Sequence, residues 1–343
     1  MLPVVAWKIS GSRSIASSRL RGYLPVKKLR ANTWPVEVFK QSHIKNYKVV
    51  IFQKAYTNED IALAKTLKEN DVVIILDQCD NHFCYESSNT TLEERAGRLR
   101  IMTGLADIVI ASTPKIAELF KSKKTFVIDD FLEDYRLNWF KSLFFKIKLS
   151  FMLPNKNNYV QLIWFGGAGT KTYPSFGLCD LVACIPELNK LGQQHNIMLT
   201  VCSNFREEYD HEIVPAAKFP TRFYTWNEKT YRYLLAGHDI CLLPININPF
   251  TVCKTNNRLV LALLLGLEVV ADIIPSYQEL SEYFYAGVNA ESISRCITDK
   301  DKAIGSAVDA RNYILKHYGD SAILPKWEAL LSHLGIKPAK QAD

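Results

Sequence analysis

Short runs of apolar and β-branched residues recur along this chain without the apolar–polar alternation of a half-exposed strand. They cover residues 4–9, 49–52, 72–76, 108–111 and 125–128, then 160–165, 198–202, 222–224, 240–244 and 269–271. A strand wetted on one face alternates with period two, so a run apolar throughout must be covered on both faces. Parallel sheets with helices on each side meet that condition. Helix-length segments separate the runs, among them 58–69, 92–105, 179–191 and 228–235. Two such series predict two Rossmann-like α/β domains, in which ligands bind beyond the C-terminal ends of the strands. A chain of 343 residues is also long for a single core.

The expected division is 1–135 for the first domain, 136–158 for a linker, 159–310 for the second domain and 311–343 for closing helices packing back toward the first. Within the linker Leu137, Phe140, Phe144, Ile147 and Phe151 form one stripe at helical spacing, with Lys141, Lys146 and Lys148 off it. Such a helix packs against a domain or lies in a membrane interface, so 135–158 is the one expected peripheral membrane contact. Net charge is +7, mild enough to suit anionic substrates or a membrane surface, and short of a nucleic-acid signature. The 8 cysteines contain no CxxC pair. That spacing argues against zinc or disulfides and for free thiols in a reducing compartment. With no signal-peptide pattern and no spanning run, the expected location is cytoplasmic, with the inner face of the cytoplasmic membrane as an option.

Candidate site residues follow the strands. Lys254-Thr-Asn-Asn257-Arg258 precedes the apolar run 259–265, which reads as a buried helix ended by Gly266. Lys254 and Arg258 would then share one face of its first turn. Cations are disfavoured at a helix N-terminus, so a common anionic ligand, a phosphate, is one explanation and pairing with nearby carboxylates the other. The first strand runs into Ser10-Gly11-Ser-Arg13 and on to Arg19 and Arg21, a small-residue loop with cations suited to phosphate or carboxylate. Ser17 or Ser18 is the expected cap of the next helix. The second domain opens with Gly166-Gly167-Ala-Gly169-Thr-Lys171, a phosphate-binding turn without the Walker ending. Asp77-Gln-Cys-Asp80-Asn-His82 places a carboxylate and an imidazole after a strand, where they can act as base or bind sugar hydroxyls. Asp299-Lys-Asp301 reads as a solvated turn, and no metal or cofactor is expected.

These segments resemble the group 1 (family 4-like) glycosyltransferases of the GT-B fold. The resemblance rests on Ala6 to Arg13, Ser18 to Gly22, Phe52-Gln-Lys54 and Asp80-Asn-His82. In the second half it rests on Phe165-Gly-Gly167 with Lys171, Asp239 to Pro244, Lys254 to Arg258 and Gly266 to Asp272. It implies an α/β architecture of two Rossmann-like domains whose parallel sheets face across an inter-domain cleft. A nucleotide-sugar donor would be held mainly by the second domain and an acceptor mainly by the first, without metal. Lys171 matches the lysine of the family's basic pair, whose usual arginine is Gly166 here, and His82 matches a histidine near the donor sugar. The family's two glutamates eight residues apart are replaced by Cys253 and Leu261.

The resulting expectation is transfer of a sugar from a nucleotide-diphosphate sugar to a hydroxyl of a glycan or lipid-linked acceptor, in bacterial surface-polysaccharide assembly. Gly166, Gly167, Lys171, Lys254, Asn257 and Arg258 would bind donor phosphate. Asp80 and His82 would be catalytic, and Gly11, Arg13 and Arg19 would contact acceptor or diphosphate. A catalytically silent scaffold of this fold and a nucleotide-sugar epimerase stay open as alternatives.

Overall fold

The computed structural model describes residues 3–85, 89–138, 158–167, 169–171 and 173–339, with only the backbone at 170 and 300–306. Ala168, Thr172 and the amphipathic stripe expected beyond residue 138 lie outside the described residues. The chain divides into two compact units. The first comprises Met1–Leu132, Val252–Thr255 and Leu315–Asp343, and the second Glu133–Thr251 and Asn256–Ile314.

The first unit is built on a six-stranded parallel sheet in the order β2-β1-β3-β4-β5-β6. Its strands are β1 (Val5–Ile9), β2 (Val36–Val38), β3 (Val49–Gln53), β4 (Val73–Gln78), β5 (Ile108–Ala111) and β6 (Lys124–Val127). The register sets Ile9 beside Gln53, Gln53 beside Asp77, and Gln78 beside Ala111. Side chains of paired residues project to one face, so Val49, Ile51 and Ile75 build one apolar layer and Val50, Phe52, Ile74 and Leu76 the other. Gln53, Asp77 and Gln78 are fully buried at the C-terminal ends of their strands. A sheet that could have stayed apolar thus turns polar where such folds bind ligands.

The layer over Val49 and Ile51 is closed by the C-terminal helix Asp320–His333, whose Ile323, Trp327 and Leu330 are buried there. Trp327 packs on Trp7 with ring centroids 5.6 Å apart. Truncating so large a buried side chain costs about 3–5 kcal/mol. The helix Asn58–Glu69 starts where Thr57 Oγ1 accepts the Asp60 amide and the Asp60 carboxylate accepts the Thr57 amide at 3.0 Å. Such reciprocal caps contribute about 1 kcal/mol and fix where the chain turns after β3.

The helix after β1 differs from expectation. Ser18 does not cap it but donates to the Ser10 carbonyl at 2.6 Å, and Ile15 is the N-cap with no side-chain bond. Its turn Arg19–Tyr23 is widened, with the Leu24 amide bonding the Arg19 carbonyl five residues back. Arg21 is thereby turned into the core, 1% exposed. Its Nε donates to Asp77 at 2.9 Å, Nη2 to the same carboxylate at 2.6 Å, and Nη1 to the Ile128 carbonyl and to Asp130. Burial works against the charge, but Asp77 and Asp130 outweigh it and hold the guanidinium above its ordinary range. Asp77 is therefore a structural partner of Arg21 at the end of β4, separate in role from the polar cluster at 80–82.

The second unit repeats the plan with the order β11-β10-β7-β12-β13-β14. Its main strands are β7 (Val160–Phe165), β10 (Ile197–Ser203), β11 (Thr221–Thr225), β12 (Ile240–Leu243), β13 (Glu268–Ala271) and β14 (Tyr285–Ala286). A small antiparallel hairpin, β8 (Gly169–Thr170) and β9 (Phe176–Gly177), follows β7 and leads into the helix Leu178–Leu191. The hairpin, β2 and β14 carry too few residues for a hydrophobic pattern to register. The expected buried helix is Asn257–Leu264, with residues 259–264 all buried.

Arg21→Met should lower the unfolding free energy by about 3–5 kcal/mol, because it leaves two carboxylates in the core without their cation. Urea denaturation at neutral pH measures this, and a loss below about 1 kcal/mol would show that the pair does not hold the sheet ends.

Candidate active site

In the first unit the polar cluster is assembled at the ends of β3 and β4. Lys54 follows β3 directly with φ of +50°, a left-handed backbone that a side chain disfavours. Its amide bonds the Asp77 carbonyl at 3.0 Å, and its ammonium pairs with Asp80. A conformation costing on the order of 1 kcal/mol or more is held by its surroundings and aims the amine at one carboxylate. Asp80 receives a second cation, Lys254 Nζ, at 2.6 Å. The segment carrying Lys254 is seated by Cys253, which is 3% exposed within the apolar layer, and by the Thr113 hydroxyl donating to the Cys253 carbonyl at 3.3 Å. Burial opposes the Asp80 charge, yet Lys254 and Lys54 hold the carboxyl well below the usual range. For Lys54 burial again works against charge, and Asp80 more than offsets it.

Lys254 accordingly does not share a helical face with Arg258. The helix begins at Asn257, Lys254 precedes its N-cap Asn256, and its carboxylate partner lies 174 residues away.

His82 is 9% exposed and touches two partners of different kinds. Its Nδ1 hydrogen-bonds the Tyr56 hydroxyl, and its Nε2 lies 3.9 Å from Asp80 Oδ2. Burial pushes the Tyr56 phenol up to about 12, so it keeps its proton and donates. Nδ1 is then the acceptor, and the proton of the neutral ring sits on Nε2. Burial also pushes the imidazole well below its usual range, with Lys54 and Arg95 adding to that effect and Asp80 opposing it. His82 is a neutral hydrogen-bond donor here and Asp80 a firmly ionised acceptor, and neither is tuned as a strong base. Tyr56 and Arg95 were not singled out in the sequence, since nothing in their spacing distinguishes them.

The loop after β1 is arranged otherwise than as an open cation comb. Gly11 has φ of +93°, and a Cβ there would stand 2.6 Å from the Ile15 side chain, so glycine is required. Arg19 is 9% exposed and spans the loop, its Nη1 donating to the carbonyls of Arg13 at 2.8 Å and Ser14 at 3.0 Å. Arg13 is exposed and stacks on Tyr23 at 4.7 Å. Arg19 thus shapes the loop, and Arg13 is the residue of the pair presented to solvent.

The second unit gathers its polar groups after β7. Gly166 donates its amide to the Cys202 carbonyl at 3.2 Å, and a Cβ on it would stand 2.9 Å from the Trp164 ring. Gly167 is exposed beyond it. Lys171 is exposed and pairs with Glu212, which raises its pKa. Arg258, half-buried near the start of its helix, lies over the Trp164 and Phe165 rings, its guanidinium carbon 5.4 and 5.2 Å from their centroids. Its Nε and Nη2 are buried with no hydrogen-bond partner among the described residues. Asp180, in the first turn of Leu178–Leu191, accepts the Gly177 amide at 2.9 Å. Burial pushes Asp180 up, while the Gly177 and Asn246 amides and then Arg258 work against that rise. The loop after β12 is fastened to the hairpin by Asn246 Nδ2 donating to Ser175 Oγ at 2.6 Å and Asn248 Nδ2 to the Ser175 carbonyl at 2.8 Å. Among the described residues, no group of three or more His, Cys, Asp or Glu side chains is placed to hold a metal ion, and no helix is long and apolar enough to cross a membrane.

The Asp80–His82 arrangement carries a pH signature. An imidazole depressed below its usual value of about 6.5 stays neutral in the fold while the unfolded chain takes up a proton. Its stability contribution is complete above that pH and is lost as pH falls toward the folded value. Between pH 7 and 5 the wild type should lose about 1–2 kcal/mol more than His82→Gln, measured by urea unfolding at each pH. Parallel curves for the two proteins would contradict the burial of a neutral ring.

No family model matches the chain, and no curated protein matches it in sequence. Solved structures do match. Anabaena Alr3699/HepE, determined with UDP-glucose, aligns over 97% of this chain and 100% of its own at 16% identity and a TM-score of 0.67. WaaG, a glycosyltransferase involved in lipopolysaccharide biosynthesis, aligns over 96% and 99% at 14% identity and 0.63. Sucrose-phosphate synthase from Thermosynechococcus elongatus aligns over 98% and 99% at 13% identity and 0.71. At these identities the likeness is one of architecture, and with two six-stranded parallel sheets flanked by helices the chain has the GT-B fold.

Proposed function

We propose that this protein is a glycosyltransferase that moves a sugar from a nucleotide-diphosphate sugar to an acceptor hydroxyl. The observation that carries the proposal is Arg258. It is half-buried at a helix start, where the backbone already disfavours a cation, and, although it lies over two aromatic rings, two of its guanidinium nitrogens have no hydrogen-bond partner among the described residues. A guanidinium so placed is costly unless an anion completes it. Lys171 and Lys254 each already have a carboxylate. The donor's diphosphate therefore falls to Arg258 together with the Gly166-Gly167 turn and Asn257. HepE, a structural neighbour, was determined with UDP-glucose, which supports a nucleotide sugar as the ligand class.

In the reaction the acceptor oxygen bonds the anomeric carbon and loses its proton, while the bond from that carbon to the phosphate oxygen breaks with its electron pair staying on the diphosphate, whose departing oxygen takes up that proton. Arg258 offsets the charge that builds there, the kind of preorganised stabilisation that supplies the largest share of many rate enhancements. His82 holds an oxygen of the substrate by donating from Nε2, and Asp80 accepts from a hydroxyl. Arg13 contacts the acceptor. The setting that fits best is bacterial surface-polysaccharide assembly on a glycan or lipid-linked acceptor, in the cytoplasm at the inner membrane face, with residues 135–158 as the membrane contact. WaaG, another neighbour, acts in lipopolysaccharide biosynthesis.

A second reading has its own observation. Cys253 and Leu261 are buried at 3% and 5% exposure, so both positions that carry glutamates in the resembled family serve packing here. A donor-binding scaffold would need no carboxylate there. Slow hydrolysis of the bound donor separates the two, since a scaffold shows none above background, and product analysis with donor alone exposes an epimerase.

A thermal-shift screen of UDP, GDP, CMP, ADP and dTDP sugars should identify one donor. At one hundred times its dissociation constant that ligand stabilises by about 2.7 kcal/mol. By calorimetry Arg258→Gln should weaken it by about 2–5 kcal/mol. Lys171→Ala should change affinity by less than about threefold, as expected for an exposed pair. Unchanged affinity in Arg258→Gln removes the donor assignment.

A further inference from the structure

Gln78 is the last residue of β4 and fully buried, on the sheet face that carries Ile74 and Leu76 and opposite to Asp77. An amide side chain has a donor end and an acceptor end, and its hydrogen-bond network decides which way it points. Gln78 Nε2 donates to the Asp80 carbonyl at 2.7 Å, an oxygen that also accepts the His82 amide at 2.9 Å. Reversing the amide would set Oε1 against that carbonyl, two acceptors with no proton between them. The turn at 80–82 therefore fixes the orientation of Gln78.

A primary amide carries two N–H bonds, and the second serves the Tyr56 hydroxyl. Burial raises the Tyr56 phenol most, while Lys54 and then a hydrogen bond from the Gln78 side chain pull it down, the sign of an oxygen that accepts. Gln78 Oε1 is buried with no hydrogen-bond partner among the described residues, so nitrogen makes this contact. A phenol oxygen that accepts on one side spends its proton on the other, and there it meets His82 Nδ1. Without Gln78 either atom of that pair could donate, since a hydroxyl and an imidazole nitrogen each play both parts.

We propose that Gln78 is a positioning residue: through the Tyr56 hydroxyl it holds the His82 proton on Nε2, so that the ring meets substrate as a donor. The relay from amide to phenol to imidazole stands on its own, and its bearing on sugar transfer rests on the reaction proposed above. Asp80 Oδ2, 3.9 Å from Nε2, attracts a proton to the same nitrogen, and variants at Gln78 separate that attraction from the relay.

The test is nitrogen-15 NMR of the full chain with labelled histidine at about pH 8, above the ordinary imidazole range. Protonated and bare ring nitrogens differ widely in shift, and His82→Gln identifies the signals. The wild type should show Nε2 protonated and Nδ1 bare. In Gln78→Glu the introduced carboxyl has at most one donor, which the Asp80 carbonyl takes, so an oxygen faces Tyr56. The phenol then donates to that oxygen and accepts from His82, and most of the ring population should move to Nδ1–H. Gln78→Met, which has no donor, should give a mixture of tautomers. Nδ1–H in the wild type overturns the proposal, whatever the variants do. So does an unchanged Nε2–H in both variants, since Asp80 alone then places the proton. With the donor identified by thermal shift, Gln78→Glu should lower kcat about tenfold and leave UDP affinity within about twofold. An inverted tautomer with kcat intact overturns the donor role of the ring. If no nucleotide sugar binds at all, glycosyl transfer fails as a reading, while the tautomers still decide the role of Gln78.

Discussion

The Asp80 carboxylate, held between Lys54 and Lys254, is the contact on which the arrangement of the first unit's polar end depends. One ammonium is aimed by a left-handed backbone at the end of β3, and the other arrives on a short segment 174 residues after Asp80. Two cations keep Asp80 ionised despite burial, and burial, helped by their field and that of Arg95, keeps His82 neutral. The protonation states of a carboxylate, an imidazole and a phenol are thus set jointly. Change in any one of them is felt by the rest, as is usual for charges sharing a poorly solvated region.

Much of the architecture was readable from the chain. Residues 108–111 and 160–165 emerge as strands with the bounds expected, and 58–69 as a helix with its expected ends, because continuous apolar runs and a Thr57–Asp60 cap are local signals. The three-residue β2 and the hairpin after β7 were not readable, since two or three residues cannot display a period. The site was legible in part. Asp80, His82 and the glycine turn follow strands and were found for that reason. Arg95 lies in Glu93-Glu94-Arg95, which reads as a solvated helical face, and only Tyr56 and Asp80, brought near by folding, give it another meaning. Lys254 and Arg258 looked like a pair because four residues separate them. The helix begins between them, and that boundary rests on tertiary packing more than on sequence.

The cations of each unit differ in how they are partnered. Lys171, Lys54 and Lys254 are ion-paired, and Arg21 is sealed in the core. Arg258 and Arg95, one in each unit, retain buried nitrogens without hydrogen-bond partners among the described residues. Arginine suits such positions because it stays charged when desolvated and meets two oxygens at once. The basic excess of the chain as a whole says little about function; the placement of Arg258 says more.

The widened turn at Arg19–Tyr23 fixes more than one side chain. An α-helix advances about 100° per residue, so the extra residue in that turn sets the phase of everything from Leu24 onward. Removing a single residue there would regularise the hydrogen bonding, yet rotate Val26 and Leu29 off the sheet and carry Arg21 away from Asp77. In this helix, the spacing of the backbone is as much a determinant of the interior ion pair as the identity of the arginine, and an insertion or deletion there would do damage that no point substitution could mend.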